Sequence, residues 1–241
     1  MTDNRDSAKA EALRLTAAEG FGAACRFIEG VGDPIAVAWA YKDFSQALYH
    51  QNKDVQHMIE AGWRGIELAL DHAARVASDD AKTAAMLVEI AKMMAFNVGA
   101  NTWPGWGDDG IDISPDQRER GIEAAMLSLR LVTELKLGPQ KMGNAHWLVA
   151  AHHIAASRPE AALAALDEAA RAFAAAADAP SEIMVRGYRA LARKLCPESR
   201  TAALSELDHA LRCLGQDTSK AATAYRHQII VADRILCVDP E

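Results

Sequence analysis

Apolar residues recur at spacings of three and four along most of the chain, most clearly between residues 144 and 214. There Trp147, Ala150, Ala151 and Ile154 are followed by Ala162, Leu166 and Ala169. Met184, Gly187, Tyr188 and Leu191 are then followed by Ala203, Leu207 and Ala210. Spacings of this kind place each set on one face of a helix. The small residues let two helices approach closely, and the large ones fill the space between them. Ala162 and Ala203 stand 41 residues apart, so the pattern predicts two stacked helical hairpins.

Turn and cap residues divide the rest of the chain. Ser7 is a plausible cap for a first helix toward Glu29, which Gly20 and Gly22 can split in two. Asp33 and Pro34 form a cap followed by a first-turn proline. They open a helix through Trp39, Tyr41, Phe44 and Leu48, which Gln51–Asp54 interrupts. The next helix carries Met58, Ala61, Gly62, Ile66 and Ala69. Ser78 or Asp79 caps another, running to about Val98. A long interruption follows from Gly99 to Ser114. Ser114-Pro115-Asp116 restarts a helix through Ile122, Met126, Leu129 and Val132, ended by Gly138-Pro139. Turns at Ser157–Pro159 and Cys196–Ser199 close the two hairpins, and Ala179–Ser181 joins them. A last helix, Ser219 to Leu236, has no partner after it and suits a terminal cap. Alternating strand patterns are missing. The expectation is an all-α chain of about ten helices forming one helical-repeat domain over residues 1–241.

The stretch NAHWLVAAHHIAASRPEAALAALDEAARAF resembles a tetratricopeptide repeat. Trp147 matches the early aromatic of the family's first helix. Ala150 and Ala151 match its small positions, Ile154 the large residue after them, and Ala162 the alanine where paired helices meet. RGYRALARKL…TAALSELDHAL looks like a looser second copy, and Asp33–Leu70 and Ala81–Glu134 look like degenerate ones. The spacing departs from the motif in unit length and in the insertion at 99–114. The resemblance implies a right-handed α-solenoid whose first helices line a concave groove that binds peptides, protein segments or a second copy. It places Asn144, Leu148 and His152 toward that groove. The basic groove with which some relatives clamp a terminal carboxylate is not evident.

Charge and composition narrow the partners. The 241 residues carry 33 acidic and 26 basic side chains, a net charge of −7. The basic residues are scattered along helices beside Asp or Glu, so a phosphate backbone finds no segregated basic surface and nucleic acid is not expected. No stretch reads as an uninterrupted apolar span, so no membrane is expected either. The four cysteines, Cys25, Cys196, Cys213 and Cys237, lack metal-type pairing. They suit a reducing, cytoplasmic setting, and no cofactor is called for.

The sharpest local signal is the segment from Asn97 to Asp112, where Trp103 and Trp106 sit among Gly, Pro and Asp. Tryptophan is enriched at binding hot spots. The segment reads either as a binding loop over the groove or as a plug between helices. Asp108, Asp109, Asp112 and Asp116 do not follow a calcium-loop spacing. His146, His152 and His153 cluster around Trp147 without a zinc pattern. Glu206-x-x-His209 is a single copy of a motif that di-iron bundles use twice, and it reads as surface charge. No nucleophile elbow, phosphate loop or dinucleotide fingerprint is present. The expectation is a non-catalytic module binding a protein or peptide, with Asn144, His152, Trp103 and Trp106 as contacts. One alternative is a homo-oligomeric scaffold that associates through Ile229, Ile230, Ile235 and Leu236. The other is a small-molecule sensor or enzyme with the 99–114 loop as lid over Asn97, Asn101, His146 and the neighbouring histidines.

Overall fold

The computed structural model describes residues 2–237. It is 83% helical, and among the described residues there is no strand. Eleven α-helices follow one another: α1 (Thr2–Glu19), α2 (Phe21–Glu29), α3 (Pro34–His50), α4 (Val55–Val76), α5 (Ala81–Asn101), α6 (Pro115–Glu134), α7 (Pro139–Ala155), α8 (Pro159–Ala175), α9 (Ala179–Lys194), α10 (Arg200–Gln216) and α11 (Lys220–Leu236). Short 3₁₀ turns occupy Pro104–Trp106 and Pro197–Ser199. The chain forms two compact units. Unit 1 holds the residues up to Thr102 together with Ile113–Leu135, and unit 2 holds Trp103–Asp112 and the residues from Lys136 onward.

Most helix starts sit where the capping chemistry places them. The Asp33 carboxylate accepts from the Ala36 N–H at 2.9 Å, with Pro34 opening α3. Ser114 and Gln117 form a reciprocal capping box at α6, satisfying two otherwise orphaned donors. Asp116 lies in that first turn, where a negative charge complements the helix dipole. Ser219 caps α11. Four boundaries differ from expectation. The first helix begins at Thr2 rather than after Ser7, and the cap of α5 is Asp80, which accepts from Thr83 N–H at 2.9 Å. Helix α5 also runs three residues past Val98, because the Thr102 hydroxyl donates to Val98 O at 2.7 Å and to Gly99 O at 3.1 Å, closing its last turn. Gly138-Pro139, expected to end α6, opens α7 instead. Gly138 takes φ +85° there, a region open to glycine at little cost.

Unit 1 is built from neighbouring pairs, α1 on α2, α3 on α4 and α5 on α6, with α4 also laid along α5 and α3 touching α5. Met58, Ala61, Gly62, Ile66 and Ala69 are all buried. A Cβ at Gly65 would stand 2.6 Å from Tyr41 Cβ and 2.7 Å from Met94 Sδ. Helix α4 therefore touches α3 and α5 with its bare backbone. The Tyr41 hydroxyl donates to Glu29 at 2.8 Å, and Arg64 Nε donates to the same oxygen at 2.6 Å. That arginine and the phenol hold Glu29 below the usual carboxylate range, against the opposing effect of burial. Helix α5 is long and apolar enough to cross a membrane by length and composition. Half of its apolar window is buried within the protein, the pattern of a core helix.

Unit 2 contains the two hairpins read from the spacing, α7 with α8 and α9 with α10, and α8 packs on α9. Ala162, Leu166 and Ala169, and Ala203, Leu207 and Ala210, are all buried. Helix α11 covers α9 and α10. Its Ile229 Cδ1 lies 2.6 Å from where a Cβ on Gly187 would stand.

Candidate functional site

The tryptophan segment is folded into unit 2. Trp103 is 1% exposed, and its indole N–H donates to Ala151 O on α7 at 3.0 Å. Its ring meets Trp106, Trp147 and Tyr188 at centroid separations of 5.0, 6.0 and 5.9 Å. Trp147 in turn meets Tyr188 edge-on at 5.5 Å. Edge-on and tilted pairs of this kind each add roughly 0.5–1.5 kcal/mol beyond area burial. Past Trp106, Gly107 takes φ +62° and lies flat against α11, where a Cβ would stand 2.6 Å from Ile235 Cδ1. Of the two readings of this segment, the geometry gives the plug: Trp103 offers no surface to a partner, and Trp106 is half-buried.

The phenol of Tyr188 lies at the bottom of this cluster. Burial pushes its pKa well above the tyrosine range, while the nearby Gln228 amide and Trp147 indole pull it down to a lesser extent. Neither neighbour closes a hydrogen bond of normal geometry, so Trp147 Nε1, Tyr188 Oη and Gln228 Nε2 are buried side by side without partners. A buried water is the usual occupant of such a polar spot.

The groove positions expected on α7 are largely interior. His152 is 3% exposed and Leu148 is fully buried, which corrects their assignment to an open groove. His152 is the inward member of the adjacent pair, and His153 is half-buried. Asn144 and His146 are half-buried on the same helix. Burial holds the imidazoles of His146 and His153 below their ordinary pKa, so both favour the neutral form. Asn97 and Asn101 are half-buried on α5 in unit 1, and the Asn101 amide nitrogen is buried without a partner. Among the described residues, no three His, Cys, Asp or Glu side chains stand together as a metal site.

An open cleft of about 490 Å³ lies between α9 and α10, lined by Arg186, Arg189, Ala202, Ser205, Glu206, His209 and Ala210. Arg186, Arg189 and Arg193 succeed one another at spacings of three and four, which places them in one row along α9. Two of the three are braced from neighbouring helices. Arg189 donates to Asp167 on α8, and Arg193 Nη1 donates to both Glu206 oxygens on α10 at 2.6 and 2.8 Å. Arg186 is exposed, and no ion pair involves it among the described residues. His209 is exposed on the opposite wall, with Cys213 Sγ 3.6 Å from its Nε2. The sequence reading passed over this row. The signal was present in Arg186-x-x-Arg189-x-x-x-Arg193, but a periodic charge row ordinarily reads as a solvated helix face.

No family model matches the chain, and no curated protein matches it.

Proposed function

We propose that this chain is a non-catalytic interaction module of tetratricopeptide type that holds a segment of a partner protein, working in a reducing, cytoplasmic setting. The α9–α10 cleft carries the reading. It is open to solvent, and charged and hydroxyl groups line it together with the small side chains of Ala202 and Ala210. Small residues interspersed with polar ones suit an extended segment laid between two helices. All four cysteines are free, in keeping with the proposed compartment. The buried position of Trp103 weighs against a lid over a catalytic pocket. The outward side of α11 mixes Arg226, His227 and Arg234 with Ile230, as a terminal cap does, which lends little support to self-association through that helix.

A photo-crosslinking amino acid at Ser205 tests the reading in native cell extract, with a second at exposed Glu119 on α6 as control. The expected result is one recurrent peptide sequence joined to position 205 and not to 119. Indiscriminate crosslinks at both positions, or none at 205, would overturn it.

A further inference from the structure

We infer that His209 and Cys213 on α10 form a binding site for a zinc-class divalent cation, an ion that prefers nitrogen and sulfur to oxygen. The site stands apart from the proposed interaction role and does not depend on it.

The two residues are four apart in the sequence, a spacing that stacks them on one face of the helix. Zinc-binding helices present a pair of imidazoles at the same spacing. Here His209 Nε2 and Cys213 Sγ lie 3.6 Å apart. Tetrahedral zinc, with bonds of roughly 2.0 Å to nitrogen and 2.3 Å to sulfur, holds those two atoms about 3.6 Å from each other. The pair therefore chelates an ion without a change of backbone. The ion enters where the proton between sulfur and nitrogen lies. The thiol gives its proton to solvent and binds as thiolate. The imidazole binds as the neutral base through Nε2, with its proton on Nδ1.

The surroundings admit a cation. His209 is exposed and Cys213 is half-buried, and the thiol is free. Cys213 stands in the last turn of α10, where the helix carries a partial negative charge. The charges nearby balance. Arg189 pairs with Asp167, Arg193 with Glu206 and Arg212 with Asp208. Glu182 stands one turn before Arg186 on the same face of α9. Arg226 of α11 stands beside Gly215, facing the negative end of α10. An ion approaching His209 thus meets no wall of one positive sign.

The ligand types set the class of ion. Thiolate and imidazole favour zinc and its neighbours, whereas magnesium and calcium take oxygen ligands. Two protein ligands leave the other positions to solvent, so the ion exchanges with solution instead of staying as a closed structural centre. His209 also lines the α9–α10 cleft, which puts the ion at the edge of that cleft.

Titration of the full, reduced chain with cobalt(II), a coloured stand-in for zinc, tests the inference. The expected result is a thiolate-to-cobalt charge-transfer band that zinc bleaches by displacement. Cys213→Ser should abolish the band, and His209→Ala should weaken cobalt binding roughly tenfold or more. Cys196→Ser, at a half-buried thiol elsewhere, should leave both unchanged. Circular dichroism should show all three variants as helical as the wild type. A band that survives Cys213→Ser, cobalt affinity indifferent to His209→Ala, or no band at all would overturn the inference.

Discussion

At the scale of single residues, Trp103 ties the tryptophan segment into the core of unit 2. Its indole fills the space among α7, Tyr188 and Trp106, and its N–H satisfies a backbone carbonyl. Trp103→Ala should cost about 3–5 kcal/mol, the range for truncating a large buried aromatic, read as a lower urea midpoint at unchanged slope. Gly65→Ala acts by the opposite route. It inserts a methyl where Tyr41 and Met94 leave 2.6 and 2.7 Å, and overpacking of this kind costs roughly 1–3 kcal/mol. The histidines predict a pH response. His146 and His153 are held neutral by burial, whereas the unfolded chain takes up protons near an ordinary imidazole pKa of about 6.5. The unfolded state then binds more protons, so stability falls as pH drops below that value and continues to fall until the folded-state values are passed. Urea midpoints between pH 7.5 and 5 should show the decline, and His146→Gln/His153→Gln should flatten it.

At the scale of helices, caps and helix pairs were readable from the chain, and burial around a helix was not. Asp33-Pro34 and Ser114-x-x-Gln117 announce helix starts because the hydrogen bonds they make are local. Ser114→Ala should remove one half of the capping box at a cost of about 1 kcal/mol, measured by thermal melting against wild type. The pairs α7/α8 and α9/α10 were equally legible, since spacings of three and four specify a face directly. What covers the other face is a tertiary fact. That is why Leu148 and His152 read as groove positions yet lie in the interior. The arginine row on α9 shows the converse. Its spacing was in plain view, but only the placement of Asp167 and Glu206 separates two braced guanidiniums from one left open. The ends of α1 and α5 escaped the reading for a simpler reason. Polar first turns carry no periodic signal, and the Thr102 bonds that extend α5 depend on a single side chain.

At the scale of the whole molecule, three of the five tryptophans, Trp103, Trp106 and Trp147, belong to unit 2, while Trp39 and Trp63 belong to unit 1. A Trp39→Phe/Trp63→Phe variant should therefore make indole emission a reporter of unit 2 alone. Chemical denaturation followed at that emission and by circular dichroism would resolve how its unfolding is timed against the loss of helix as a whole. The division of the chain also bears on biosynthesis. The segment Trp103–Asp112 lies in unit 2, yet Ile113–Leu135 returns to unit 1 before the rest of unit 2 begins. On the ribosome, the indole of Trp103 emerges well ahead of the α7 carbonyl that receives its proton and of the Tyr188 ring that it meets. The nascent chain must carry that aromatic surface unburied while further helices are made, the interval in which chaperones engage exposed apolar side chains. A gene cut after Leu135 would send the second half out without its keystone.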